Sequence, residues 1–171
     1  MSFIETPRLL IRAWMLPGDA ADALEIFGDP QAMRFLSMGA VDAQGSVRMV
    51  ERMIEQNEQD GFAVWPVVSK ETSHVIGESG ITYIPGSKDV QIAWLYKPAA
   101  WGCGYATEAA RAVLHYAFEA VGLERIYALI DRENAASIAV ANRLGMSFDR
   151  IVRAYKRDLM RYVITPTPAS G

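Results

Sequence analysis

Thiols and imidazoles are scarce in this chain, and the scarcity excludes whole classes of chemistry. A single cysteine, Cys103, among 171 residues rules out an intrachain disulfide and supplies no metal cluster, which fits a reducing compartment. The two histidines, His74 and His115, lie far apart without ligand spacing, so no structural zinc site and no resident metal is expected. An excess of one charge is missing too. With 17 basic and 20 acidic residues the net charge is −3 and the pI near 5.4, which gives no reason to expect nucleic acid or an anionic membrane as partner. The opening stretch "MSFIETPRLLIRAW" has no long apolar run and carries Glu5, Arg8 and Arg12. It is read as neither a signal peptide nor a membrane span, and a cytoplasmic location is expected. Repeats, low-complexity tracts and linkers are absent as well.

What remains is an ordinary globular composition, 51% hydrophobic and 22% charged, at a length that suits one domain with a sizeable core. "RLLIRAW" alternates and predicts a first strand over Arg8 to Trp14, and Asp19 is placed to cap a short helix burying Ala23, Leu24, Ile26 and Phe27. Val47, Val50, Met53 and Ile54 recur at helical spacing within Ser46 to Gln59, with Gly61 as the stop. Three strand-like runs follow, Phe62 to Ser69, His74 to Ile84 and Val90 to Tyr96, separated by turn residues in the manner of an antiparallel meander. From Tyr105 the apolar stripe Ala106, Ala110, Val113, Leu114, Ala117, Phe118 and Val121 predicts a helix ending at Gly122. A strand over Arg125 to Ile130, a helix over Asn134 to Gly145 and two strands between Ser147 and Ile164, breaking near Lys156 to Asp158, complete a mixed α/β order. The tail Thr165 to Gly171 reads as a frayed end.

The most informative stretch is "WGCGYATEAARAVLHYAFEAVG", Trp101 to Gly122. Two alternating glycines directly before a good helix serve either as a plain turn or as an anion cradle. Successive amides around Gly102 and Gly104 can form a concavity, and the helix start adds unpaired N–H groups and a positive dipole end. Thr107 adds a hydroxyl. No third glycine or Gly-Lys-Ser/Thr follows, so neither a dinucleotide fingerprint nor a Walker loop is present, and the pyrophosphate of coenzyme A is the anion that remains.

The pieces "TPRLLIR", "VIGESGI", "VQIAWLY", "WGCGYATEA" and "ENAASIAVANRLGMSF", in that order, resemble the GNAT superfamily of acetyl-CoA-dependent N-acetyltransferases. The likeness is greatest to the branch containing the ribosomal-protein N-terminal acetylases RimJ and RimL, and it spans nearly the whole chain. The resemblance implies one α/β domain of GNAT fold, a mixed sheet of about six to seven strands flanked by about four helices. It places the coenzyme pyrophosphate on the turn Trp101, Gly102, Cys103, Gly104, Tyr105, Ala106 and Thr107, with Trp101 departing from the family's Gln/Arg. It implies a V-shaped opening between the strands at Val90 to Tyr96 and Arg125 to Ile130, where backbone groups of Trp94, Leu95 and Tyr96 pair with the pantetheine arm and polarise the thioester carbonyl. In "NAAS" it implies that Asn134 bonds the arm and Ser137 lies near the sulfur; helix capping is the alternative role for both.

The tyrosine acid that many relatives carry is replaced by Ala141, which leaves Ser137 as the proton donor to sulfur. A glutamate base is replaced by Gln91, which at neutral pH only positions water or the amine. Glu78 and Asp131 are substitutes for the base, and a water relay to bulk stands beside them, so no single indispensable carboxylate is expected. Cys103 lacks a partner base and is not expected to act as a nucleophile. Phe35, Tyr83 and Trp94 are candidates to frame the acceptor. The expected partners are acetyl-CoA and an amine, either a peptide N-terminus or a small amine, taken by a monomer or homodimer. A non-catalytic acyl-CoA sensor of the same fold and an unrelated nucleotide-binding protein are the competing readings.

Overall fold

The alternation of β-branched runs with one-sided helices builds three layers, helix on sheet on helix. The computed structural model describes residues 4–167. Its order is β1 (Ile4–Glu5), β2 (Leu9–Ile11), α1 (Ala20–Phe27), α2 (Ala43–Asp60), β3 (Val64–Ser69), β4 (Val75–Tyr83), β5 (Val90–Tyr96), a 3₁₀ turn (Pro98–Ala100), α3 (Tyr105–Glu119), β6 (Ile126–Ile130), α4 (Ala135–Arg143), β7 (Ser147–Ala154) and β8 (Arg157–Ile164). The strands form one eight-stranded sheet in the order β1-β2-β3-β4-β5-β6-β8-β7, one or two strands more than expected. The extra strand is β1, two residues long and too short to show a period.

One face of the sheet packs on α3 and α4. Trp65, Val67, Ile81, Ile92, Ile126 and Ala128 there meet Ala110, Val113, Leu114 and Ala117 of α3 and Val140 and Ala141 of α4. The other face is covered by α1 and α2, whose Ala23, Ile26, Phe27 and Val50 pack with Trp14, Met33, Val68 and Val75. Burial of these side chains, about 1.5–3 kcal/mol for each large one, is the main force holding the layers together.

Several boundaries differ from expectation for local reasons. The first strand stops at Ile11, and Asp19 does not cap α1 through its side chain. Its carboxylate instead accepts N–H groups from Arg12 Nη1 and Nη2 at 2.8 Å and the Met15 N–H at 2.8 Å. The second helix begins at Ala43, three residues early, because Asp42 accepts the Gly45 N–H at 2.7 Å. The third ends at Glu119; Gly122, at φ +77°, serves the turn beyond it. Residues 165–167 carry no regular structure, and 168–171 of the expected frayed tail lie outside the described residues. No described helix is long and apolar enough to cross a membrane.

Candidate active site

The parallel strands β5 and β6 are paired, among the described residues, at one register position, Gln91 opposite Tyr127. Beyond it the strands part, while the antiparallel β4–β5 ladder continues to Tyr96 opposite Gly77. The Lys97 N–H donates to Ile76 O at 3.1 Å, so by the two-residue alternation of an antiparallel ladder Leu95 and Ala93 also turn their amides toward β4. The main-chain groups of Trp94 and Tyr96 therefore face the gap, and those of Leu95 do not. This corrects the expectation for Leu95, whose side chain packs on the α1–α2 cluster instead. The Tyr96 carbonyl is occupied by the Trp101 indole N–H at 2.8 Å, which leaves its N–H and both Trp94 groups for an extended ligand.

The gap leads to the start of α3. Gly102 and Gly104 have φ of +73° and +79°, the left-handed region that glycine enters without a side-chain penalty. Gly104 is the N-cap and carries no side-chain cap. The helix's first bond runs from the Glu108 N–H to Gly104 O at 3.1 Å, so the amides of Tyr105, Ala106 and Thr107 precede it and remain available to an anion. A Cβ on Gly104 would find only an Arg8 guanidinium nitrogen, 3.5 Å away, so the approach to this turn is open. Cys103 is free and exposed, as expected of a turn residue.

Across the gap, Asn134 caps α4, its side-chain oxygen accepting the Ser137 N–H at 3.1 Å. The capping role is thus filled for Asn134, but Ser137 is not confined to the helix end. Its Oγ accepts the Trp94 indole N–H at 3.2 Å and so keeps its own proton to give. Trp94 packs with the α3–α4 cluster, on the side of the sheet that carries Ser137.

Glu78 is paired opposite Pro66 on β3 and Leu95 on β5, on the sheet face toward α1 and α2. It is 8% exposed, and its Oε2 has no hydrogen-bond partner. Desolvation raises its pKa to about 8. It lies in the run "GESG", where a Cβ on Gly77 would come within 2.3 Å of the Tyr96 ring and one on Gly80 within 2.1 Å of Ala63 O. The glycines let the neighbouring strands pack close, and the Glu78 carboxyl itself is buried on the α1–α2 face of the sheet. Asp131, the other substitute base, is spent: one oxygen accepts the Glu133 N–H at 2.9 Å and the other is paired with Arg157. Gln91 donates its amide N–H to the Tyr155 hydroxyl.

Tyr155 comes from the β7–β8 hairpin tip, and its pKa is raised by burial, partly offset by the Gln91 bond. The hairpin is tied to the segment after α1 through Ser37 Oγ to Tyr155 O at 2.9 Å and Arg157 to Phe35 O at 2.5 Å. Phe35 thus stays beside the site, whereas Tyr83, opposite Val90 on β5, packs its ring tilted against Phe62 with centroids 5.3 Å apart. Sequence reasoning missed Tyr155 because the contact spans 64 residues, although its place at a hairpin tip was legible. Among the described residues no group of three or more metal-ligating side chains gathers.

A mixed sheet whose central parallel pair opens onto an uncapped helix start offers a seam for an extended ligand that ends in an anion. The sequence matches the acetyltransferase (GNAT) domain family over residues 8–147, and the chain belongs to that family. It is 32% identical over 139 residues to the uncharacterized protein YkkB of Bacillus subtilis, covering 80% of each chain. A GNAT-family acetyltransferase from Bacillus anthracis superposes with a TM-score of 0.83 at 25% identity, over 96% of this chain and 98% of that one. The ribosomal L7/L12 α-N-protein acetyltransferase RimL, solved with coenzyme A, superposes with a TM-score of 0.81 at 15% identity, over 96% and 98%. The protein is a GNAT-family N-acetyltransferase, which removes the reading as an unrelated nucleotide-binding protein.

Proposed function

We propose that this protein transfers the acetyl group of acetyl-CoA to a primary amine by direct attack. One observation carries the reading: the gap beyond Gln91 and Tyr127 leaves Trp94 and Tyr96 amides unpaired and ends at the uncapped α3. The thioester supplies an activated acetyl carbon; the chain's residues bind it, orient the amine and handle two protons. The turn from Trp101 to Thr107 holds the pyrophosphate through main-chain N–H groups. Trp94 and Tyr96 hold the pantetheine arm, with Asn134 at its other side.

As the amine nitrogen bonds to the carbonyl carbon and the C–S bond breaks, Ser137 gives its proton to the departing sulfur and regains one from solvent, to which the amine's proton is finally released. Glu78 takes up the proton that the amine loses. Its pKa of about 8 lies near the operating pH, where a group both accepts and releases a proton readily. Gln91, its N–H committed to Tyr155, turns Oε1 to an amine hydrogen, and the Tyr155 hydroxyl is left with its own hydrogen to donate to the acceptor. The acceptor is a peptide N-terminus or a small amine; the likeness to RimL supports the peptide. The working form is a cytoplasmic monomer or homodimer. Thiol release from acetyl-CoA, followed over a panel of short peptides with free N-termini and small amines, tests the reading. No turnover with any of them, despite coenzyme binding, would return the chain to the role of an acyl-CoA sensor.

A further inference from the structure

Arg8 lies in β2's approach, 95 residues before the turn it touches. Its Nη1 donates to Cys103 O at 2.9 Å, its Nε to Glu108 Oε2 at 2.7 Å, and its Nη2 is 2.6 Å from the same carboxylate. The guanidinium also lies 4.5 Å from the Tyr105 ring centroid. One side chain therefore grips residue 103 before the helix, residue 105 at its start and residue 108 in its first turn.

We infer that Arg8 is a positioning residue for the pyrophosphate turn, a role that rests on the coenzyme reading above. A trans peptide is planar, with C=O and N–H on opposite sides. Holding Cys103 O against Arg8 turns the Gly104 N–H to the opposite side of that plane, away from Arg8. Glycine on either side of Cys103 leaves this plane free to rotate, so an external bond is needed to set it. Arg8 also solves an electrostatic conflict. Glu108 is a carboxylate in the first turn of the helix that receives the anion. Burial alone would raise its pKa, but hydrogen bonds from Thr6 and Arg8 and the Arg8 charge outweigh it and hold the carboxyl below its ordinary value. It stays ionised, and the Arg8 charge beside it cancels its repulsion toward a pyrophosphate. Preset amides and a neutralised neighbour lower the cost of binding, the advantage of a preorganised site.

The test compares coenzyme A with pantetheine, which lacks the pyrophosphate, on the wild-type chain, Arg8→Gln and Arg8→Lys. Calorimetry gives the first affinity, and ligand-observed NMR the weaker second one. Arg8→Gln should weaken coenzyme A about tenfold, the cost of a charged hydrogen bond, and leave pantetheine within about twofold. Arg8→Lys, which keeps the charge and one bond but lacks the fork, should fall between. Should Arg8→Gln fail to fold, the same comparison is made on Arg8→Lys. Unchanged coenzyme affinity, or a parallel loss for both ligands, overturns the inference and leaves Arg8 a structural residue. A wild-type chain that binds neither ligand overturns the coenzyme reading itself.

Discussion

Trp94 on β5 and Ser137 on α4 meet across the opening of the sheet, the indole N–H donating to the serine Oγ at 3.2 Å. The bond orients the serine hydroxyl so that its own proton is the one left to give. Ser137→Ala should lower kcat by about ten- to a hundredfold with little change in coenzyme affinity, the pattern of an interaction made in the transition state. Steady-state kinetics against acetyl-CoA, with calorimetry for binding, distinguishes this from a helix-end role, which would leave kcat at the wild-type value.

Gly104→Val should weaken coenzyme A at least tenfold, roughly 1.4 kcal/mol or more. The protein itself leaves room for the new side chain, since its nearest neighbour is an Arg8 nitrogen. The penalty comes from the left-handed φ of +79° and from the closeness with which a phosphate must approach. A folded variant with wild-type affinity would place the anion elsewhere.

The raised pKa of Glu78 makes two pH statements. If Glu78 receives the amine's proton, kcat should rise with pH through about 8, and Glu78→Gln should cost on the order of a hundredfold. A loss below about tenfold, with a profile following the pKa of the acceptor amine, would assign the proton to a water relay, as the sequence alone led one to expect.

The same shift acts on stability. A carboxyl whose folded pKa lies above its ordinary 4.5 binds its proton more tightly when folded. Its contribution is fully present below pH 4.5 and is lost as pH rises toward 8. Glu78→Gln, which is neutral throughout, should therefore stabilise the protein at pH 9, by up to about 5 kcal/mol, and change little at pH 4. Urea unfolding at the two pH values measures the difference; equal effects at both would mean that the carboxyl is not held neutral by burial.

Tyr155→Phe removes the hydroxyl that Gln91 holds while keeping the ring. It should raise KM for the acceptor by about tenfold and leave KM for acetyl-CoA near its wild-type value, because the hairpin tip bonds to Gln91 and Ser37 and not to the glycine turn. A change in both constants together would point to a disturbed hairpin.

Local pattern carried much of the architecture. The meander strands β3, β4 and β5 fall within two residues of their expected bounds, since alternating branched runs between turn residues have few other solutions. The stripe Ala110, Val113, Leu114 and Ala117 is buried as expected on α3. Helix starts were less legible, because capping depends on what else a side chain can reach: Asp42 caps, whereas Asp19 is drawn off by Arg12. Of the candidate site, the glycine turn and "NAAS" were visible as short motifs, and the family resemblance connected them.

By itself the sequence determined the order of elements and the glycine turn before α3, and the family resemblance marked Gln91 as standing where relatives carry a glutamate. The first two follow from period and turn chemistry, both local properties of the chain. Only the tertiary structure decided that β5 and β6 part beyond Gln91 and Tyr127, that Glu78 is shut away from water while Asp131 is spent on Arg157, and that Arg8 grips the turn at Cys103. The reason is physical: a carboxyl's proton affinity and a peptide's orientation are set by neighbours in space, and those neighbours come from distant parts of the chain.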